Sequence, residues 1–347
     1  MKLRLLLRLL LAAAVGAALV VGAVIALSDQ HAPRNDGAVE IPIALDGSLQ
    51  NGAWSPDGAQ IVFTRFRKGY NKAPGDLFIV DLKAGTLRPL IDDGTNNVSQ
   101  PGSTWNARTG NIIFSSERDN HHDQIYMSPG TGGVDGLRPL TSSEKNMGYE
   151  PSFSPDGNSF AYEMHLADEE GSGRIVLKNL GASDIEPITR ANEDCRQPNW
   201  SPRGDLIVYQ KREDDEWGLW TYDIRSKKHR KLTSGAGDKT DATFSPDGNF
   251  VVYSGDSPDS PYASLYVIPS SGGRPVQITT AGVYDGAPSW SPDGESIVFE
   301  TSPLRAPRAG IRGWVTRAWI WLGRMLGHEW PTKLATIKVP QNLRQED

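Results

Sequence analysis

Phe244-Ser-Pro-Asp-Gly-Asn-Phe-Val-Val-Tyr-Ser254 couples a tight turn to a strand, and the rest of the chain repeats it. Ser-Pro-Asp-Gly has the chemistry of a chain reversal. Pro holds φ at about −65°, Asp bonds back to the backbone, and Gly takes the positive φ that lets the next strand return. The block recurs as Trp54-Ser-Pro-Asp-Gly58, Phe153-Ser-Pro-Asp-Gly157 and Trp290-Ser-Pro-Asp-Gly294. Trp200-Ser-Pro-Arg-Gly204 is a near copy, and Trp105-Asn-Ala-Arg-Thr-Gly110 a degraded one. The aromatics stand at 54, 105, 153, 200, 244 and 290, so the period is 44 to 51 residues. A period of that length with strand-like content marks a propeller array.

Each unit carries four strand signals, short runs of Val, Ile, Tyr and Phe bounded by Gly and Pro. In the fifth unit these are Ala242–Ser245, Phe250–Ser254, Ser264–Ile268 and Pro275–Thr279. The sixth unit shows three, at Pro288–Trp290, Ser296–Glu300 and Lys333–Val339, and then runs out into polar Gln341–Asp347, read as a disordered tail. Its missing fourth strand is expected from the other end of the chain, at Val39–Leu45, which would close the ring and leave no open sheet edge. The expected fold is therefore all-β, a six-bladed β-propeller over residues 39–340. Turn chemistry accounts for the Asp of every repeat, so none is expected to be catalytic.

Composition agrees. With 38% hydrophobic and 22% charged residues among 347, a packed core is within reach and wholesale disorder is excluded. A net charge of −6 argues against nucleic acid as the partner. The single Cys195 excludes an internal disulfide and a thiolate zinc cluster, and reads as a buried or half-buried free thiol.

Ahead of the repeats, Lys2, Arg4 and Arg8 precede the uncharged, mostly apolar stretch 9–27, and the chain turns polar at Ser28. A basic start followed by an apolar run reads as an export signal over 1–28, with 29–38 as a linker. The apolar run is long enough to span a bilayer and stay as an anchor, while Ala26-Leu27-Ser28 offers small residues for cleavage. Both outcomes place the propeller on the periplasmic or other extracytoplasmic face of the membrane.

Aromatic-Ser-Pro-Asp-Gly followed by Ile-Val-Phe, Leu-Tyr-Val, Gly-Gly and Leu-Thr resembles the WD40-like PD40 repeat of TolB-type propellers. The second unit carries the same series as Ser115-Ser-Glu-Arg-Asp-Asn120, Gln124-Ile-Tyr-Met127 and Arg138-Pro-Leu-Thr141. The resemblance spans roughly residues 39–340 and speaks for the fold more than for the function. It implies a non-enzymatic binding or scaffolding module of the cell envelope with a protein partner there. TolB itself has an α/β domain before its propeller. Only about ten residues separate the apolar run from the first expected strand here, so no such domain is expected, and Tol–Pal contacts do not carry over.

Between the second and third strands of unit six the chain departs from its pattern. Ile311, Trp314, Val315, Ala318, Trp319, Leu322, Met325 and Leu326 fall on one helical face, so an amphipathic helix is expected within 303–331. Arg312, Arg317 and Arg324 flank it, and Trp321 and Trp330 complete four Trp in the insertion. Five Arg against one acid make it basic in an otherwise acidic chain. Three readings stay open: a helix lying on a membrane surface, a helix packed across the propeller, or a docking element for a partner. Strand order puts this helix on the face opposite the Ser-Pro-Asp-Gly turns. The N-terminal strand is expected to start from the turn face, so anchor and helix would reach one membrane only with a tilted propeller or a linker crossing its side.

No nucleophile elbow, zincin helix or phosphate loop is present, and no cofactor is expected. The loops between blades ring the axial funnel and carry Gln100, Tyr149, Glu150, Arg196, Gln197, Asp241, Tyr284 and Asp285. Polar and aromatic groups converging on a concave mouth form the expected partner or small-ligand site. The alternative function is a metal-assisted polysaccharide lyase or hydrolase using His121, His122 and His165, or a gating propeller of the prolyl-oligopeptidase type working with a separate catalytic partner.

Overall fold

In the computed structural model, residues 34–118, 122–166, 172–257, 260–280, 282–305 and 331–344 are described. The apolar stretch 9–27, most of the insertion with its Arg and Trp residues, and His121 lie outside them. Among the described residues no helix is long and apolar enough to cross a membrane.

Six four-stranded antiparallel sheets follow one another along the chain. Blade four shows the regular pattern: Cys195–Trp200 innermost, then Leu206–Glu213, Glu216–Asp223, and His229–Lys231 at the rim. The turn glycines Gly58, Gly110, Gly157, Gly204, Gly248 and Gly294 all have φ between 67° and 75°, so even the degraded repeat keeps the reversal. In the first, Ser55 Oγ donates to Asp57 Oδ1 at 2.6 Å, and Gln60 N–H donates to Ser55 Oγ at 2.9 Å. Where Arg203 replaces the Asp, Ser201 Oγ reaches Asp205 instead, at 2.8 Å.

Core clusters form between blades rather than within them. Val252 and Leu265 of blade five pack with Trp290, Ile297 and Phe299 of blade six. Leu49, Ile61 and Phe63 of blade one meet Val298 and Leu334 of blade six, which seals the ring.

The sixth sheet runs Val283–Trp290, Ser296–Arg305, Lys333–Lys338 and, outermost, Val39–Glu40. Val39 pairs with Thr336 and Glu40 with Ala335. The closing strand is shorter than the expected 39–45. Ile41 N–H still bonds Leu334 O at 2.9 Å, but Pro42 has no N–H to donate and the ladder stops. At the other end the tail is not wholly unstructured. Gln341–Leu343 forms one 3₁₀ turn, because Leu343 gives the polar segment an apolar anchor in the blade five–six core.

The segment before the closing strand also departs from expectation. The strand does run from the turn face toward the funnel face, but Gly37, at φ 81°, doubles the chain back before it. Arg34 thereby reaches the funnel end of blade six. It donates to both carboxylate oxygens of Asp285 (2.8 and 3.0 Å), to Thr301 Oγ1 (2.9 Å) and to Asp36. Asp36 in turn accepts Thr280 N–H at 3.1 Å. The strand that leads into the insertion ends at the same rim, with Arg305 paired to Val283. Both segments therefore leave the described propeller from one face.

Candidate functional site

Five of the six innermost strands carry an irregularity three residues before their aromatic. In blade three, Tyr149 pairs with Glu163 but Ser152 with Ala161, so Glu150 falls in a bulge. The same register shift separates Gln50 from Ala53, Arg196 from Asn199, Thr240 from Thr243 and Gly286 from Ser289. The bulged residues Asn51, Glu150, Gln197, Asp241 and Ala287 all have φ between 46° and 56°, and blade two supplies Gly102 at φ 85°. Left-handed backbone costs a non-glycine residue about 1–2 kcal/mol. The ring is thus five strained positions around one axis, and strain of this kind gathers where side chains must be aimed.

A bulge frees an amide from its own ladder, and the preceding blade satisfies it. Gln197 N–H donates to Glu163 Oε2 at 3.2 Å, and Asn51 N–H to Glu300 Oε2 at 3.4 Å. Asp241 N–H donates to Gln197 Oε1 at 3.1 Å, while Gln197 Nε2 bridges Glu150 (3.1 Å) and Asp241 (2.8 Å). Glu163 and Glu300 occupy equivalent places in the second strands, ten residues after the aromatic. Tyr70 enters from the loop after Gln60–Phe66. Asp76, fully buried, anchors that loop by accepting from Arg65 and Arg67. The Tyr70 and Tyr284 hydroxyls lie 2.8 Å apart, and each is within hydrogen-bond distance of Glu300 Oε1, at 3.1 and 2.8 Å.

These groups surround a cavity of about 400 Å³ on the funnel side, lined by Asn51, Tyr70, Glu150, Gln197, Asp241 and Glu300 among others. Its electrostatics are those of acids removed from water. Burial pushes Glu300 up to about 8, with nearby Asp241 adding to it. Burial likewise raises Glu163 to about 7, and lifts Asp241 above the usual carboxylate range. Glu150 stands well above that range, from burial and then from the charge of Glu163. Its carboxyl is hydrogen-bonded to Glu163 as well as to Gln197, while Nε2 of the neighbouring Gln50 is shielded from solvent with no hydrogen-bond partner.

The axis is closed beneath this cavity. Blade two's innermost strand is only Asn97–Val98, and the following segment crosses to the far blades. Gln100 Nε2 donates to Pro198 O at 3.4 Å, and Ser103 Oγ to Trp200 O at 3.3 Å. A Cβ on Gly102 would sit 2.3 Å from Asn199 Nδ2 and 2.8 Å from Thr243 Cγ2. The degraded repeat is thus the one whose inner strand becomes a plug. On the turn face a smaller cavity of about 180 Å³ lies among Trp54, Trp105, Trp200 and Trp290.

Of the ring residues expected from sequence, Glu150, Gln197 and Asp241 line the cavity. Tyr284 stands behind it as a partner of Glu300, and Gln100 belongs to the plug. Arg196 is turned to Asp194 at 2.9 Å and stacks over Trp217. Tyr149 packs edge-on against His165. Asp285 is occupied by Arg34. Sequence reasoning missed Asn51, Tyr70, Glu163 and Glu300. His165 bonds Glu163, and among the described residues no three His, Cys, Asp or Glu gather as a metal-ligand set. Cys195 is buried, its thiol pushed to about 12 by burial. Arg312, Trp314, Arg317, Trp319, Trp321, Arg324 and Trp330 lie outside the described residues.

A family profile described as the TolB beta propeller domain (PD40) matches residues 133–306. The chain is 29% identical over 133 residues to a Bacillus subtilis (strain 168) protein called uncharacterized peptidase YuxL, covering 37% of this chain and 20% of that one. It is 28% identical over 160 residues to the Tol-Pal system protein TolB of Francisella tularensis subsp. mediasiatica (strain FSC147), covering 45% and 34%. The match therefore spans 20% and 34% of the length of these curated relatives. A putative TolB structure from Agrobacterium tumefaciens superposes with a TM-score of 0.55 at 16% identity, over 84% of this chain and 90% of that one. An oligogalacturonate lyase in complex with manganese superposes at 0.54 and 12% identity, over 90% and 96%. At such identities the likeness is one of fold.

Proposed function

Because the chain belongs to the TolB beta propeller domain family, we propose that it is a non-catalytic binding platform of the cell envelope. In this reading it lies outside the cytoplasm, with its funnel face toward the membrane and a protein partner engaged at that face. The observation that carries the reading is the Arg34 clamp on Asp285. It brings the polypeptide that follows the apolar stretch 9–27 to the rim where the strand leading into the basic, Trp-rich insertion ends. Two membrane-seeking segments leaving one face orient a propeller without any tilt. The curated relative named as a Tol-Pal system protein supports an envelope role, and partners remain to be identified by the surface that meets them.

The test uses a matched pair of labelling sites. Lys72→Cys lies on the funnel-side loop of blade one and Lys83→Cys on a turn-face loop, both exposed, while Cys195 is buried and silent. A fluorophore at position 72 in proteoliposomes is expected to be quenched by lipid-borne quencher, and one at position 83 to be spared. Equal quenching, or quenching at 83 alone, overturns the orientation and the platform reading with it.

A further inference from the structure

We propose that the axial cavity is a receptor for one organic cation, an alkylammonium or guanidinium head group, held by donating its N–H groups to the surrounding acids. The lining contains Glu117, Glu150, Asp241 and Glu300 and no Lys, Arg or His. Asn51, Asn71, Asn96 and Gln197 add amide oxygens, and Phe66 and Tyr70 add aromatic surface suited to a cation. No cationic side chain in the wall complements an anion.

The spacing selects the kind of cation. A metal ion needs its oxygens converging within about 2.0–2.6 Å of one point. Among the described residues no three acids come together in that way. The acids instead line a cavity of about 400 Å³, room for one head group that carries several N–H donors. Glu150 lines the cavity from its bulge, its carboxyl shared with Gln197 and Glu163. Holding that group in a strained bulge has a purpose if a ligand meets it there.

Neighbouring charges do not pre-empt the site. Glu150 is faced by Glu163, Asp241, Gln197, His165 and Arg196; Arg196 pairs with Asp194 at 2.9 Å, stands 3.9 Å from Glu163, stacks on Trp217 and is not part of the cavity lining. Glu300 is faced by Asp241, Asn51, Tyr70 and Tyr284, none of them a cation. Without a guest the acids retain protons, so a bound cation displaces them. Binding then strengthens as pH rises and releases protons to buffer.

The inference does not rest on the membrane-facing reading, and its test needs no bilayer. Full-length chain in neutral detergent is titrated calorimetrically with spermidine, with N-acetyl-arginine amide and with Mn²⁺, at about pH 6 and pH 8. Saturable binding of either organic cation, tighter at the higher pH and with proton release, is expected. Spermidine alone points to a free polyamine, and the arginine amide alone to a basic side chain of a polypeptide. Glu150→Gln and Asp241→Asn are each expected to weaken binding at least about tenfold. Glu295→Gln, on the exposed turn of blade six, leaves it unchanged. Near-UV circular dichroism of the isosteric variants certifies their fold. No saturable binding of either organic cation, binding of Mn²⁺ alone, or folded variants that bind like the parent overturns the proposal.

Discussion

Arg34 and Asp285, 251 residues apart in sequence, meet as a two-pronged ion pair with N–O distances of 2.8 and 3.0 Å. Asp285 is only 1% exposed, so the pair is a structural joint and not a surface decoration. Arg34→Ala leaves an uncompensated carboxylate in a shielded place and is expected to cost about 3 kcal/mol in denaturant unfolding. Arg34→Ala combined with Asp285→Asn should cost clearly less than the sum of the two single changes, because the stranded charge is gone. Strict additivity would mean that the two side chains do not depend on each other.

Gly102 and Gly110 separate two reasons for a glycine. Both have positive φ, 85° and 70°. A Cβ at Gly110 meets nothing within 4 Å, so Gly110→Ala should cost only the backbone strain, about 1 kcal/mol. At Gly102 the plug lies against blades four and five, and the same substitution adds overpacking, for about 3 kcal/mol in all. Equal melting temperatures for the two variants would show that the plug yields readily.

The pH dependence of stability has a definite sign. Glu300 holds its proton up to about pH 8 in the folded chain, against an ordinary carboxylate value in the unfolded one. Between those values the folded state binds more protons, so stability is lost as pH rises from about 4.5 through about 8 and is fully kept below that window. Glu300→Gln removes this dependence. Relative to the parent it should gain on the order of 3 kcal/mol at alkaline pH and little at acid pH, read from urea midpoints.

The bulge ring predicts a residue ranking at Asn51, whose φ is 56°. Asn51→Gly should be close to neutral, since glycine occupies this region freely. Asn51→Val should destabilise by about 2 kcal/mol, because a branched Cβ resists it. A tolerated valine would show that the strand can slip its bulge.

The propeller was legible because one short block, aromatic-Ser-Pro-Asp-Gly, repeats with its strand partners. The site was legible only in part, and particular residues show why. Glu150, Gln197 and Asp241 stand three places before an aromatic, as does Asn51, but in the first repeat that position follows the expected closing strand Val39–Leu45 and not a complete preceding unit. Glu163 and Glu300 follow the continuous apolar runs 160–162 and 297–299 of their strands, and a charged residue there reads as solvent-facing. In a propeller the second strand's other face can meet the next blade near the axis instead. Tyr70 sits in the loop between Gln60–Phe66 and Gly75–Asp81, where no repeated motif marks it. Arg34 had no local signal, because its meaning lies in a partner at the far end of the chain. Asp285 appeared to belong to the funnel for the same reason.

The closing strand sets an order of events. Val39–Glu40 is synthesised before any blade, yet its partner Lys333–Lys338 comes almost last. Five blades can stack as they emerge, but the sixth stays incomplete until the final strand is made. A chain cut short by premature termination or by a protease near its end would lack the strand to which its own beginning must attach. Its sixth sheet would keep a bare edge at Ser296–Arg305 and blade one would lose Leu334 from the core it shares with blade six, so this arrangement reads out whether the ring's last strand was made.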